Sequence, residues 1–285
     1  SNYWKFYKHH MHYTNNEKEF FAIEGESGFS SIEYSLNSKN EIIQGDIRVN
    51  GQFMASIPYH PRHIELSIFT LNLYEKSKIL FLGLGGATIL KDLVDENFTN
   101  EIDVIDWSFE LPKLISFDKL KIYLNDVLNH KKINFYSIDA RLYLNKNQKK
   151  YNLIFDNLSH THWVGSTNIK SISYFEKISK SLKSNGVYIL GFNFKGEKDK
   201  YAVLSGLINN FKYVIQFNET IIIASNNSLD CLLNVNNFDK DCIFDMLGIE
   251  NYINQNKNKL PDKFKDPSWN LHENLLNISN NQKIK

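Results

Sequence analysis

The chain has 285 residues and balances 33 Lys and Arg against 32 Asp and Glu for a formal net charge of +1, so no overall basic field exists to gather bulk nucleic acid. Its length allows a main domain with a smaller companion, and 42% hydrophobic residues suffice for a substantial core. The two cysteines, Cys231 and Cys242, are too few for a disulfide framework and lack metal-site spacing, while no apolar run of about eighteen residues and no signal-peptide pattern occurs; a reducing, cytoplasmic location without membrane insertion is expected.

From Phe20 to about Ile57 short alternating runs are separated by turn signals at Asn37-Ser38-Lys39-Asn40 and Asn50-Gly51. Asn-Gly is the preferred type I′ hairpin pair, and the segment reads as a small antiparallel β domain. His63 to Tyr74 has helical spacing. Strands and helices then alternate: strand 79–83, helix 87–96, strand 102–106, helix 109–115, a further helix near 118–128, strand 133–138, helix 140–146, strand 151–156, helix 171–184, strand 187–193 and helix 199–210. This alternation predicts a parallel, doubly wound α/β sheet of Rossmann-like, methyltransferase type. Two last strands, 212–217 and 220–225, are joined too tightly for a crossover and predict an antiparallel hairpin at one edge. From about 230 the chain is rich in Asn, Lys and Asp, with one apolar helical stretch near 241–254. Three divisions are expected: 1–60, 61–228 and a C-terminal extension, 229–285.

The densest chemical signal is Lys78-Ile-Leu-Phe-Leu-Gly83-Leu84-Gly85-Gly86-Ala87-Thr88, an apolar strand breaking into glycines before a helix. Gly83, Gly85 and Gly86 permit a tight turn and let a ligand lie against the helix N-terminus. The same pattern also occurs in ordinary βα turns. The next strand, Glu101-Ile-Asp-Val-Ile-Asp106, ends on an acid at the roughly twenty-residue spacing where a carboxylate meets a ribose diol. Asp139 closes the third strand, where a carboxylate can accept the exocyclic amine of adenine, and Asp156 closes the fourth. Each acid alone could equally cap a helix or turn. Three acids at three successive strand ends beside a glycine turn point to a nucleoside site, with Trp107 and Ala140 adjoining it.

In order and spacing, the stretch from about Phe20 to Ser225 resembles the spermidine synthase family of S-adenosylmethionine-type transferases. That family has an Asp-Gly turn followed at a fixed interval by a glutamate; Asn50-Gly51 is followed at that interval by Glu65. Its glycine loop precedes Thr-Leu, matched by Thr88-Ile89; its ribose acid matches Asp106, its adenine-binding Asp-Gly matches Asp139-Ala140, and its catalytic Asp matches Asp156. Tyr174-Phe175 and Leu182-Lys183-Ser184-Asn185-Gly186 echo two further runs. The resemblance implies S-adenosylmethionine, or its decarboxylated form, as donor substrate, with Glu65, Gly83, Gly85, Gly86, Asp106, Trp107, Asp139 and Ala140 around it.

Several positions depart from the family pattern. The loop aspartate that holds the amine of the decarboxylated donor is replaced by Gly85, which removes a repulsion toward a donor that keeps its carboxylate. Arg62 could pair with a donor carboxylate or an anionic acceptor, or lie on the surface. The second acid after the catalytic Asp is replaced by Ser159, which makes a cationic polyamine a poor acceptor. A longer loop, Asn157-Leu-Ser-His160-Thr-His162-Trp163, suggests stacking and hydrogen bonding to a planar or anionic acceptor, although Trp163 could simply pack under the loop. The His-x-His pair lacks a fixed third ligand, and no metal is expected.

The resulting expectation is an alkyl transferase that moves a 3-amino-3-carboxypropyl or aminopropyl group to a non-polyamine acceptor. The chain looks similar to the enzymes of microcin C maturation that act on a peptide-nucleotide, so a small molecule or modified peptide, including an antibiotic precursor, is the acceptor class. Asp156 is the candidate base for a protonated amine, or an orienting group if the acceptor is already nucleophilic. A homodimer is the assembly entertained. Methyl transfer and nucleoside binding without turnover are the alternatives.

Overall fold

The computed structural model describes residues 18–58, 77–95, 99–158, 169–191, 197–218 and 221–227. The helix expected over 63–74 and the apolar stretch at 241–254 lie outside them. Strands β1 (Glu19–Gly25), β2 (Gly28–Leu36), β3 (Ile42–Val49) and β4 (Gln52–Ile57) form a four-stranded antiparallel sheet in chain order. Asn50 and Gly51 have φ of 50° and 77°, the paired left-handed geometry of a type I′ turn. At the other predicted turn the Asn37 side chain accepts the N–H groups of Lys39 and Glu41 at 2.9 and 3.0 Å, so an Asx motif closes it. Ile32, Tyr34, Ile47, Val49, Ala55 and Ile57 supply its buried apolar side chains.

The remaining elements are β5 (Ser77–Leu82), α1 (Thr88–Asp95), β6 (Thr99–Asp106), α2 (Glu110–Ile115), α3 (Asp118–Tyr123), β7 (Ile133–Ser137), α4 (Ala140–Lys146), β8 (Tyr151–Asp156), α5 (Ile172–Ser181), β9 (Leu182–Gly191), α6 (Glu197–Ile208), β10 (Tyr213–Asn218) and β11 (Ile221–Ser225). They build a seven-stranded mixed sheet in the order β10-β11-β9-β8-β5-β6-β7. The β5–β8, β8–β9 and β6–β7 pairs are parallel, and β10 and β11 form the antiparallel edge hairpin the short joint predicted. This is the expected α/β, methyltransferase-type sheet beside a small antiparallel one.

By contacts the chain divides into two compact units. One holds the four-stranded sheet and residues 83–138; the other holds β5 and everything from Asp139 onward. Within the first, the β1–β2 hairpin engages α2: Phe109 N–H donates to Ser27 Oγ at 3.0 Å, and Phe21 stacks on Phe117 with ring centroids 3.9 Å apart. A Cβ on Gly25 would overlap the Glu110 carboxyl, so a side chain there would require Glu110 to shift. Within the second, β8 is buried along its whole length, and Phe81 stacks on Phe155 at 5.2 Å. Each such fully buried large apolar side chain contributes about 1.5–3 kcal/mol.

Two boundaries differ from the sequence expectation. The helix predicted over 118–128 ends at Tyr123, because Asn125 and Asp126 both take left-handed φ, 52° and 51°, and a 3₁₀ turn (Val127–Asn129) follows. The helix predicted to run to 184 stops at Ser181, since Leu182 already pairs with Tyr151 and opens β9. Gly186 makes that early strand fit: a Cβ there would lie 2.9 Å from the Tyr151 carbonyl oxygen and from Leu182.

Asp139 starts α4. Its carboxylate accepts Arg141 N–H at 2.8 Å and the Arg141 guanidinium at 2.6–3.2 Å. The Arg141 side chain is the main cause that holds the Asp139 carboxyl below its ordinary range. A depressed carboxyl stabilises the fold above the unfolded-state value and loses that stability as pH falls through the folded-state value. Asp139→Ala should therefore cost about 1–2 kcal/mol at neutral pH, from a lost cap and a partly exposed ion pair. The penalty should shrink on acidification. Urea unfolding at neutral and acidic pH checks this; a penalty unchanged by pH would leave the ion pair without a share in stability.

Candidate functional site

The glycine turn after β5 lies in the first unit with the acid that ends β6. Gly83, Gly85 and Ala87 have left-handed φ of 87°, 53° and 58°. The Gly83 N–H donates to the Ile105 carbonyl at 2.8 Å, and Leu84 N–H donates to Asp106 Oδ2 at 2.8 Å. Ser108 N–H donates to the other oxygen, Oδ1, at 2.9 Å. Asp106 thus fastens the turn to the β6 end while each oxygen keeps capacity for a further hydrogen bond. Burial raises the Asp106 pKa and the two N–H donors oppose the rise.

Gly86 has a different reason for being glycine. A Cβ there would sit 3.0 Å from the Ala55 Cβ, so β4 of the small sheet presses directly on the turn. Ala87 holds a left-handed conformation that costs an L-residue about 1–2 kcal/mol, strain that the surrounding packing must hold. Trp107 follows Asp106 with 43% of its surface exposed, and Phe109 is 50% exposed. An open indole next to a buried carboxylate offers a flat apolar face beside an acceptor of hydroxyl hydrogens.

In the second unit Asp139 is the N-cap of α4, the structural role that the sequence also allowed, and Ala140 is the buried first residue of that helix. Asp156 ends β8 and is fully buried. Leu158 N–H donates to its Oδ1 at 3.0 Å, Tyr174 and Tyr188 hydroxyls donate to Oδ2 at 3.0 and 2.7 Å, and Lys170 Nζ lies 3.3 Å from both oxygens. The Lys170 side chain is 1% exposed, so a complete ion pair is enclosed here. Burial pulls the Lys170 pKa down and the Asp156 charge opposes it. Burial pushes both tyrosines far above their ordinary value, with Asp156 adding to the effect, which keeps them as neutral donors.

A carboxylate with four donor groups on two oxygens has its lone pairs taken. It can fix the orientation of what surrounds it, and it accepts a proton only if a donor withdraws. The sequence offered Tyr174 merely as part of an echoed Tyr-Phe pair and did not single out Lys170 or Tyr188. Tyr188 could have been suspected, because a hydroxyl in an apolar strand must find a partner when buried; Lys170 carried no local signal.

The structure gathers Gly83, Gly85, Gly86, Asp106 and Trp107 in the first unit, and places Asp139, Ala140 and Asp156 in the second. Arg62, Glu65, Ser159, His160, His162 and Trp163 lie outside the described residues.

No protein-family model matches the chain. Over 135 residues it is 25% identical to polyamine aminopropyltransferase 2 of Aquifex aeolicus, a stretch covering 46% of this chain and only 26% of that relative. Among solved structures it is similar to a spermidine synthase in complex with the transition-state analogue AdoDATO, at a TM-score of 0.60 with 13% identity and 87% of each chain covered. Spermidine synthase of Thermotoga maritima gives 0.59 with 12% identity, covering 84% of this chain and 87% of that one. A probable spermidine synthase of Corynebacterium glutamicum gives 0.57 with 18% identity, covering 73% and 81%. The fold is that of the spermidine synthases: a methyltransferase-type α/β sheet of seven strands with a separate four-stranded antiparallel sheet.

Proposed function

We propose that the protein is an alkyl transferase that uses an S-adenosylmethionine-derived sulfonium and delivers its 3-amino-3-carboxypropyl or aminopropyl group to an acceptor other than a polyamine. The observation that carries this reading is the Asp106 carboxylate, buried at a strand end and tied to the glycine turn by Leu84 N–H, in a fold shared with spermidine synthases. The donor side falls in the proposed domain 61–228, with Asp106 on the ribose, Trp107 against the base, and the turn residues Gly83 to Gly86 beside the sulfonium substituents. Asp139 and Ala140 complete the adenine side, and Glu65 and Arg62 are proposed to reach the donor's outer groups.

Transfer is a single displacement. An acceptor lone pair forms a bond to the propyl carbon as the carbon–sulfur bond breaks, and the electron pair remains on sulfur in neutral methylthioadenosine. Positioning supplies most of the acceleration, because the donor is already activated by its positive sulfur. Asp156 is proposed to orient the reacting groups, since its oxygens already accept from Lys170, Tyr174 and Tyr188. That suits a nucleophile that needs no deprotonation, such as a phosphate or phosphoramidate oxygen of a modified peptide or peptide-nucleotide, with Ser159, His160, His162 and Trp163 on the acceptor side.

The direct test is mass spectrometry of products formed from intact and decarboxylated S-adenosylmethionine with an acceptor library. Aminocarboxypropyl, aminopropyl and methyl adducts differ in mass and identify the carbon transferred. Methyl adducts alone would replace this reading by a methyltransferase, and nucleoside binding with no adduct from any acceptor by a non-catalytic binding protein.

Asp106→Asn should weaken methylthioadenosine binding at least tenfold, roughly the 1.5–3 kcal/mol of a charge-assisted contact. Calorimetry that finds unchanged affinity would remove Asp106 from the donor site. For donor choice, Gly85 carries no charge where an acid would repel a carboxylate, so intact S-adenosylmethionine should bind at least as tightly as its decarboxylated form. Gly85→Asp, which the left-handed φ of 53° tolerates for Asp, should reverse that order by repulsion. Competition titration of both proteins decides it, and a clear wild-type preference for the decarboxylated donor would overturn the assignment.

A further inference from the structure

A carboxylate that must hold a cationic amine and later accept its proton needs an open lone pair and an uncompensated charge. Asp156 has neither. Lys170 Nζ spans both carboxylate oxygens at 3.3 Å, both side chains are shielded from solvent, and the two tyrosine hydroxyls and the Leu158 N–H fill the remaining acceptor directions. Lys170 is also the one cation among the groups the structure bonds to Asp156, and it comes from the short segment before α5 rather than from the β8 end itself.

We propose that Lys170 is a specificity-determining residue of the acceptor site. Its ammonium takes, from within the chain, the place on Asp156 that a protonated amine acceptor would occupy. This inference rests on the reading that Asp156 faces the reacting centre of an alkyl transferase. A second ammonium approaching the pair meets a carboxylate already neutralised and a like charge beside it, so binding is lost at a cost that burial magnifies. An uncharged or anionic nucleophile meets no such repulsion. The cost of burying the Asp156 carboxylate is offset by a partner of opposite charge and by hydrogen bonds to both oxygens.

The test uses 1,4-diaminobutane as the cationic probe, with intact and decarboxylated S-adenosylmethionine as donors and mass spectrometry as the readout. The wild-type protein should form no diaminobutane adduct. Lys170→Gln, which keeps a donor but drops the charge, should form it at least tenfold above wild-type background. In that reaction Asp156 takes a proton from the bound ammonium and passes it to water, the freed amine lone pair forms the carbon–nitrogen bond, and the carbon–sulfur electrons leave on methylthioadenosine. Lys170→Arg should stay inactive toward the amine, and Lys170→Gln combined with Asp156→Asn should lose the gain.

A Lys170→Gln protein that binds methylthioadenosine like wild type and still makes no diaminobutane adduct overturns the proposal and leaves the alkyl transferase reading standing. Diaminobutane alkylation by the wild type itself overturns the non-polyamine reading and the proposal with it. Should Lys170→Gln fail to fold, nuclear magnetic resonance of the wild-type Lys170 side chain decides: a hydrogen-bonded ammonium at about pH 7.5 supports the proposal, and a neutral amine there overturns it.

Discussion

A strand that leaves its ladder exposes backbone N–H groups that need acceptors, and the arrangement of the acids depends on that constraint. β8 is buried throughout and β5 everywhere but Lys78, and the acids stand where strands end. Asp106 and Asp156 are the last residues of their strands, and Asp139 lies just beyond β7. At all three ends the carboxylate accepts backbone N–H groups: Leu84 and Ser108 for Asp106, Arg141 for Asp139, Leu158 for Asp156. The acids therefore complete the ends of the sheet.

What the sequence made legible were features whose physics is local. Asn50-Gly51 needs only its own two left-handed residues, the alternation of strands and helices needs only hydrophobic periodicity, and the tight joint between β10 and β11 admits no crossover. The glycine turn and Asp106 were legible as a pair because glycines and a strand-ending acid sit within one local stretch of chain. What escaped was set by packing between distant segments. Lys170 meets Asp156 from fourteen residues away with no local signal, and Tyr188 from thirty-two, where the sequence hinted only that its hydroxyl needs a partner. Gly86 was legible as a glycine that matters, but its packing reason, the approach of Ala55, belongs to tertiary structure.

The same sequence separation explains the two boundary differences. Helix periodicity ran through 118–128, while two consecutive left-handed residues, Asn125 and Asp126, end the helix and let the 3₁₀ turn begin. At Ser181 the competition is between one more helical turn and pairing of Leu182 with Tyr151, and the sheet wins because pairing buries Leu182 against an already formed strand. Local propensity is a weak prior against such contacts. In both cases the acids Asp106, Asp139 and Asp156 keep their places at or just past the strand ends, which do not depend on the helix lengths.

The hairpin turn at Ser27 carries a consequence for how the chain can be divided. Its hydroxyl receives the Phe109 N–H at the head of α2, its own N–H reaches Glu110 at 3.4 Å, and Gly86 of the nucleotide turn lies against Ala55 of β4. The small sheet therefore acts as scaffolding for the glycine turn after β5. A chain trimmed to begin after β4 would leave a helix end without its donor's partner and a glycine turn without its backing. A change on the outer hairpin is thus felt at the head of α2, and a change at Ala55 at the glycine turn.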